Sequence, residues 1–224
     1  MAGRRVLLLN PNSSNAATES MAGFAREALG SEWTVETATN PDAPIFIADP
    51  AGEAAAVAGL MRLLDDGLDP CEGVMLSAFI DPGRAELRAR LDVPVIGLAE
   101  AAMQAAARIG RFAVLAATPQ LEATIETLAA CYGVADQLAG ILKVAGDPAA
   151  LMADPPTMLT TLRGLLDEAA ARGDLDAVII GAGPLADLIR ALRDESPLPL
   201  IEPVPTLARA MRDVLEGRAG SPVA

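Results

Sequence analysis

The feature that most constrains this chain is an internal repeat. Val6-Leu7-Leu8-Leu9-Asn10-Pro11-Asn12 recurs in outline as Val114-Leu115-Ala116-Ala117-Thr118-Pro119-Gln120. Val74-Met75-Leu76-Ser77-Ala78-Phe79 recurs as Val178-Ile179-Ile180-Gly181-Ala182-Gly183. Val93-Pro94-Val95-Ile96 recurs as Leu198-Pro199-Leu200-Ile201. The offsets, 108 from Val6 to Val114, 104 from Val74 to Val178 and 105 from Val93 to Leu198, nearly agree. A duplicated half of this kind usually places its ligand cleft between the copies, where here the matching strand ends carry Ala78 and Ala182.

Each copy alternates short apolar runs with longer helical patterns, the signature of a mostly parallel sheet with crossover helices. The first half reads as strands over Val6–Asn10, Trp33–Ala38, Gly73–Phe79 and Val93–Gly97. The helices between them fall at Asn15–Leu29, Ala51–Asp65 and Pro82–Leu91. The second half opens with a helix over Ala99–Arg108. Its strands fall at Phe112–Ala117, Leu138–Val144, Ala177–Gly181 and Leu198–Glu202, its other helices at Gln120–Tyr132, Pro156–Arg172 and Leu185–Arg193. A last helix, Thr206–Glu216, precedes a loose tail over Gly217–Ala224. The expected fold is α/β, with two pseudo-symmetric lobes, each a mostly parallel four-stranded sheet flanked by helices, and a cleft between them. The first lobe takes residues 1–98 plus 203–224 and the second 99–202. The closing helix returns to the first lobe because it holds the place in its repeat that Ala99–Arg108 holds in the first.

Composition narrows the chemistry. The 224 residues include no histidine, which excludes a Ser-His-Asp triad, a Cys-His dyad and any histidine-ligated metal. Two cysteines, Cys71 and Cys131, are too few for a disulfide framework or a thiolate metal site. A net charge of −13 argues against nucleic acid or an anionic membrane as partner. Aromatic residues make up 3%, so stacking platforms for bases or sugars are scarce. The apolar runs are shorter than a signal-peptide core or a membrane span, so a soluble cytoplasmic chain is expected.

In open parallel sheets ligands bind beyond the carboxyl ends of the strands. Four loops lie there: Asn10–Ser14, Ser77–Gly83, Thr118–Gln120 and Gly181–Pro184. The first offers amides and hydroxyls just before a helix, where free N–H groups and a partial positive charge suit an anion. The same residues also make an ordinary turn and N-cap. Ser77 can hydrogen-bond a ligand, although nothing near it in sequence would activate it as a base. Asp81 before Pro82 reads as the N-cap of the helix over Pro82–Leu91. Glu100 is either a helix N-terminal acid stabilised by the dipole or a group facing the ligand, with Asp187 and Glu202 weaker versions of the same. Arg88, Arg90 and Arg163 read as surface helix positions, and Asp65-Asp66 and Asp194-Glu195 as solvated surface.

Gly181-Ala182-Gly183-Pro184-Leu185-Ala186 fits a G-x-G-x-x-A dinucleotide fingerprint after a strand, with Glu202 where a ribose-binding acid would fall. Only 41 residues follow Gly183, fewer than a mononucleotide-binding half needs, so no flavin or nicotinamide is expected.

Three motifs together carry a family resemblance. Asn10-Pro11-Asn12-Ser13-Ser14 resembles the opening motif of hydantoin racemases. Ala78-Phe79-Ile80-Asp81-Pro82-Gly83 resembles their Cys-Phe-Gly-Asp-Pro-Gly segment. Val93-Pro94-Val95-Ile96-Gly97-Leu98-Ala99-Glu100-Ala101-Ala102 is similar to their Pro-Val-x-Gly-x-Ala-Glu-Ala run. The resemblance to the aspartate/glutamate/hydantoin racemase superfamily covers nearly the whole chain. It implies two pseudo-symmetric lobes, no cofactor, no metal and a homo-oligomer. It implies a small anionic or imide substrate, inverted at an acidic carbon by two opposed cysteines, since inversion needs an acid and a base on opposite faces. Those positions fall at Ala78 and at Ala182 or an immediate neighbour. Cys71 lies too far back along its strand to substitute, and Cys131 is at a helix end. Pro184 removes one backbone donor from the second anion-binding helix start. The implied site is Ala78, Ala182 and Ser77 at the reacting carbon, with Asn10, Ser13, Phe79, Glu100, Thr118 and Gly183 around the substrate. An isomerase using other proton carriers, a thiol-independent decarboxylase of an activated diacid and a non-catalytic binder all fit that pattern.

Overall fold

The computed structural model describes residues 4–116, 121–144, 154–181 and 186–218. Along the described chain, strands and helices alternate: β1 (Arg4–Asn10), α1 (Asn15–Leu29), β2 (Trp33–Thr39), α2 (Pro50–Asp66), β3 (Gly73–Leu76), α3 (Arg84–Arg90), β4 (Val95–Gly97) and α4 (Leu98–Ile109). The pattern then repeats as β5 (Phe112–Ala116), α5 (Glu122–Cys131), β6 (Leu138–Lys143), α6 (Pro155–Ala171), β7 (Ala177–Ile180), α7 (Ala186–Arg193), β8 (Leu200–Ile201) and α8 (Pro203–Leu215). No helix among the described residues is long and apolar enough to cross a membrane.

The strands form two four-stranded sheets, ordered β2-β1-β3-β4 and β6-β5-β7-β8, with every pairing parallel. The chain divides into two compact units, Met1–Ala101 with Val204–Ala224, and Ala102–Pro203. The sequence repeat is thus a repeat of topology, with the same strand order in both units.

In unit 1, Leu7, Leu9, Val74, Leu76 and Val95 pack with Leu60 of α2 and Leu87 of α3. These strand positions alternate, so they line one face of the sheet. Leu8 and Met75 point to the other face and are fully buried, so β1 and β3 are covered on both sides, as parallel strands require. Helix α1 presents Met21, Phe24, Ala25 and Leu29 inward. Helix α8 closes on the start of β3, where a Cβ on Gly73 would overlap Met211. In unit 2, Ala113, Leu115, Val178 and Ile180 pack with Met158, Leu162, Leu166 and Ala169 of α6 and Leu192 of α7.

Several boundaries differ from the sequence reading, three of them for identifiable reasons. Strand β3 stops at Leu76 instead of Phe79, because the chain turns and Asp81 N donates to Ala78 O at 2.9 Å. Helix α3 begins at Arg84 instead of Pro82, behind Gly83 in a left-handed conformation (φ 77°) with no side-chain cap. Helix α8 starts at Pro203 instead of Thr206, since proline is well suited to a first helical turn.

Candidate functional site

Strand order β2-β1-β3-β4 makes the loops after β1 and β3 leave in opposite directions, which opens a crevice at the carboxyl ends of those two strands. The residues of both loops in unit 1 are described.

The turn after β1 is built around Asn10, which is fully buried. Its Nδ2 lies within hydrogen-bond reach of Asn12 Oδ1 (2.9 Å), Ser14 O (3.2 Å) and Thr18 Oγ1 (2.9 Å), and its Oδ1 accepts from Asn12 N (3.1 Å). The amide expected to bind substrate is therefore committed to its own turn. Ser14 caps α1, accepting from Ala17 N at 3.2 Å. Ser13 stands half-buried between them. Its backbone N donates to Pro44 O at 3.3 Å, and its hydroxyl has no partner among the described residues. Ser13 Oγ and Asn12 Nδ2 are thus left for a ligand in this turn, along with the Ser14 hydroxyl hydrogen.

At the end of β3, Ser77 is buried and bound twice to β1. Its N and its Oγ both donate to Leu9 O, at 3.0 and 3.2 Å. Phe79 and Ile80 are buried as well. From Gly73 through Gly83, Ala78 is the one residue that is not. Ala78 is thus the one partly accessible residue of this stretch, and its side chain is a methyl group.

Behind this loop lies a buried ionic cluster that the sequence reading assigned differently. Asp81 does not cap α3. Its backbone takes a left-handed conformation (φ 46°) and its carboxylate reaches the start of α4, accepting from Ala99 N (3.0 Å) and Glu100 N (2.9 Å). There it satisfies two of the open N–H groups of α4 and lies at the positive end of the helix dipole. Gly97 is required for this approach, since a Cβ there would overlap the Asp81 carboxylate. Glu100, also buried, accepts from Arg84 Nη1 (3.1 Å), from Arg88 Nη2 at both oxygens (3.0 and 2.9 Å) and from Gly97 N (3.2 Å). Arg88 further donates its Nε to Val95 O at 2.9 Å. Arg88 is thus not the free surface position expected of it: one turn apart on α3, Arg84 and Arg88 clamp one carboxylate. The spacing of the two arginines was visible in sequence, but their partner, after an intervening strand, was not.

In unit 2, Gly181 N donates to Leu115 O at 2.8 Å, the counterpart of Ser77 N on Leu9 O. The junction of central strands is therefore alike in both units. Thr118, Ala182, Gly183 and Pro184 lie outside the described residues, as does the side chain of Asp187. Glu202 is engaged by Arg193 at 3.3 Å, and that hydrogen bond is the main reason the guanidinium's pKa is raised. Arg90 with Asp65 and Arg163 with Glu195 are exposed pairs, as expected of surface positions.

The two cysteines stand apart from these strand ends. Cys71 precedes β3 and packs against the unit 1 core, and burial raises its thiol pKa, only partly offset by hydrogen bonds to Gly73 and Leu7 and by Arg5. Cys131 is exposed at the end of α5. Among the described residues, no group of three or more histidine, cysteine, aspartate or glutamate side chains could hold a metal. Unit 1 thus offers the Ser13 hydroxyl, the Asn12 amide nitrogen and the partly accessible Ala78 at its strand ends, with each nearby carboxylate already bound.

Comparison with known proteins places this geometry in context. A family model described as Asp/Glu/Hydantoin racemase matches residues 6–211. A hydantoin racemase of Rhizobium meliloti is 30% identical over 216 residues, covering 94% of this chain and 88% of the relative. A hydantoin racemase of Paenarthrobacter aurescens is 28% identical over 215 residues, covering 94% and 91%. Among solved structures, an allantoin racemase from Klebsiella pneumoniae aligns with a TM-score of 0.87 at 25% identity, covering 98% of this chain and 91% of that one.

Proposed function

This chain belongs to the Asp/Glu/hydantoin racemase family, and from that premise we propose that it acts at an acidic carbon next to a carboxylate or imide carbonyl, without a cofactor and without thiol proton carriers. The substrate is a small amino acid, hydantoin or similar compound. The observation that carries this reading is Ala78, the single accessible residue between Gly73 and Gly83. The resemblance puts the first acid/base cysteine at that position, and a methyl group neither takes nor gives a proton.

The groups that could replace the thiol on this side are occupied. Ser77 Oγ donates to the Leu9 carbonyl and Glu100 is held by Arg84 and Arg88. Solvent is then the proton carrier, and the protein's contribution is to bind the substrate and stabilise the enolate-like intermediate with N–H and hydroxyl donors. Ser13 Oγ, beside the start of α1, is a donor that unit 1 supplies in this scheme, and Thr118 and Gly183, which match Asn10 and Phe79 in the repeat, are the positions the second repeat contributes. The same scheme suits decarboxylation of an activated diacid, which needs enolate stabilisation and one proton from water.

Proton exchange tests the proposal. The protein is incubated in deuterium oxide with hydantoins, aspartate, glutamate and 2-substituted malonates, and the α-carbon is followed by NMR. Deuterium incorporation or inversion supports action at an acidic carbon, and carbon dioxide release from a malonate selects the decarboxylase reading. Thermal stabilisation by a compound that never exchanges would make the protein a binder. With neither exchange nor stabilisation for any of them, the proposal fails. In the double variant Ala78→Cys/Ala182→Cys, racemisation appears if the two alanines stand where the thiols would act.

A further inference from the structure

Asp81 stands just ahead of α3, which starts at Arg84 without a side-chain cap. A carboxylate so placed would ordinarily cap that helix. Instead it reaches the start of α4, and Ala99 lies eighteen residues further along the chain. The reach requires a left-handed backbone at Asp81 (φ 46°) and a glycine at 97. Backbone strain in a residue beside a site, together with a glycine reserved for one contact, points to a role beyond local capping.

What the contact holds follows from the chain's path. Strand β3 is paired as far as Leu76, with Leu9 on one side and Gly97 on the other, and Ser77 makes the last bonds to β1. Among the described residues, no strand pairs with the loop beyond that point. Ala78 is held from ahead: its carbonyl accepts from Asp81 N (2.9 Å), and the Asp81 carbonyl accepts from Arg84 N (3.2 Å). The turn from Ala78 to Asp81 is therefore fixed on Leu9 at one end and, through Asp81, on α4 at the other. The α4 start is itself clamped. Leu98 and Ala99 are fully buried, and Arg84 and Arg88 hold Glu100. Both arginines belong to α3, the helix into which the loop runs. Loop, α3, Glu100, the α4 start and Asp81 thus close a ring around the one partly accessible residue.

We propose that Asp81 is a positioning residue for the side chain at 78: its carboxylate transfers the fixed position of the α4 start to the place where the acid or base of the reaction belongs. The inference rests on the reading of position 78 under Proposed function and adds the residue that sets its geometry. Asp81 touches no reacting atom in this role. It acts through the turn it closes.

The test places a thiol at the position in question. In the full chain carrying Ala78→Cys, iodoacetamide labels the introduced thiol, Cys71 and Cys131, and mass spectrometry reads the three rates together. Adding Asp81→Asn raises the rate at 78 about tenfold, while buried Cys71 and exposed Cys131 stay within about twofold. Gly97→Ala, which keeps the carboxylate but displaces it, does the same. Asp154→Ala, which uncaps α6 in the other unit, changes none of the three. The second measurement uses Ala78→Cys/Ala182→Cys with enantiopure 5-methylhydantoin, aspartate and glutamate, assayed well below Tm. There Asp81→Asn lowers kcat about tenfold or more and leaves KM within about twofold, the signature of a misplaced reacting group. Asp154→Ala alters neither constant. The inference is overturned if the rate at 78 stays at its parent value, if all three thiols speed up together, or if kcat survives Asp81→Asn. If the double-cysteine chain racemises none of the three compounds, the reading of position 78 falls, whereas racemisation indifferent to Asp81 defeats only this inference.

Discussion

Asp81 is held at φ 46°, a left-handed conformation that costs a non-glycine residue about 1 kcal/mol or more. The two charge-assisted bonds to Ala99 N and Glu100 N outweigh that cost. Asparagine tolerates the same backbone but brings an amide N–H against these donors. Asp81→Asn is therefore expected to lower stability by about 2 kcal/mol in urea unfolding. Gly97→Ala removes neither partner, yet forces the carboxylate away from Ala99 N and Glu100 N and is expected to cost as much, about 2 kcal/mol by the same measurement. The thiols give a residue-scale check of a different kind. Exposed Cys131 reacts with a disulfide reagent first, and Cys71, whose thiol burial keeps protonated to higher pH, reacts slowly in the native protein. The folded state holds the Cys71 proton more tightly than the unfolded chain. Its contribution to stability is thus full below the ordinary thiol pKa and is lost as pH rises through the raised one. Mass spectrometry of partly alkylated protein across pH follows both effects.

The elements show which parts of a fold can be read before it is seen. The β-strands of unit 1 were legible because buried parallel strands are short continuous apolar runs, and α1 because Met21, Phe24, Ala25 and Leu29 share one face. Asp81 was misread because capping rules are local. An Asp-Pro pair signals a helix start, but which helix start the carboxylate reaches depends on β4 returning Gly97 alongside it. Glu100 was left between two readings for the same reason, since α3 had first to bring Arg84 and Arg88 onto it. Asn40 carried no signal at all, as a buried side-chain amide looks like any loop asparagine in sequence. Its removal exposes the difference: Asn40→Ala leaves the carbonyls of Pro11 and Ala56 without their donor and opens a gap beside Gly59. About 2 kcal/mol of destabilisation is expected, read from the urea midpoint.

For the molecule as a whole, the repeat governs the topology while the charge governs the response to solvent. Both units carry the strand order in which the second strand of the unit lies outside the first. Thirty acidic residues face seventeen basic ones, for a net charge of −13. Exposed pairs such as Arg62 with Asp42 and Arg163 with Glu195 are worth little each, so the uncompensated excess is what salt acts on. Raising sodium chloride from low ionic strength to a few tenths molar is expected to raise Tm by a few degrees as self-repulsion is screened, measurable by scanning calorimetry. A fall in Tm over that range would mean that the ion pairs, Glu100 with Arg84 and Arg88 foremost, dominate the electrostatics instead.

The loop between β2 and α2 is fastened at both ends by side chains: Asn40 to the β1 turn and α2, and Asp49 to the first turn of α2 that follows it. Between them, only Ile45 and Phe46 of the stretch from Ala43 to Ala48 are exposed and can change without either fastening noticing. The pair Ile45–Phe46 is in effect an exchangeable cartridge, in which new side chains can be tried one after another on an undisturbed mount. A library confined to these two positions would vary the surface of the loop while leaving β1, α2 and their buried contacts as they are.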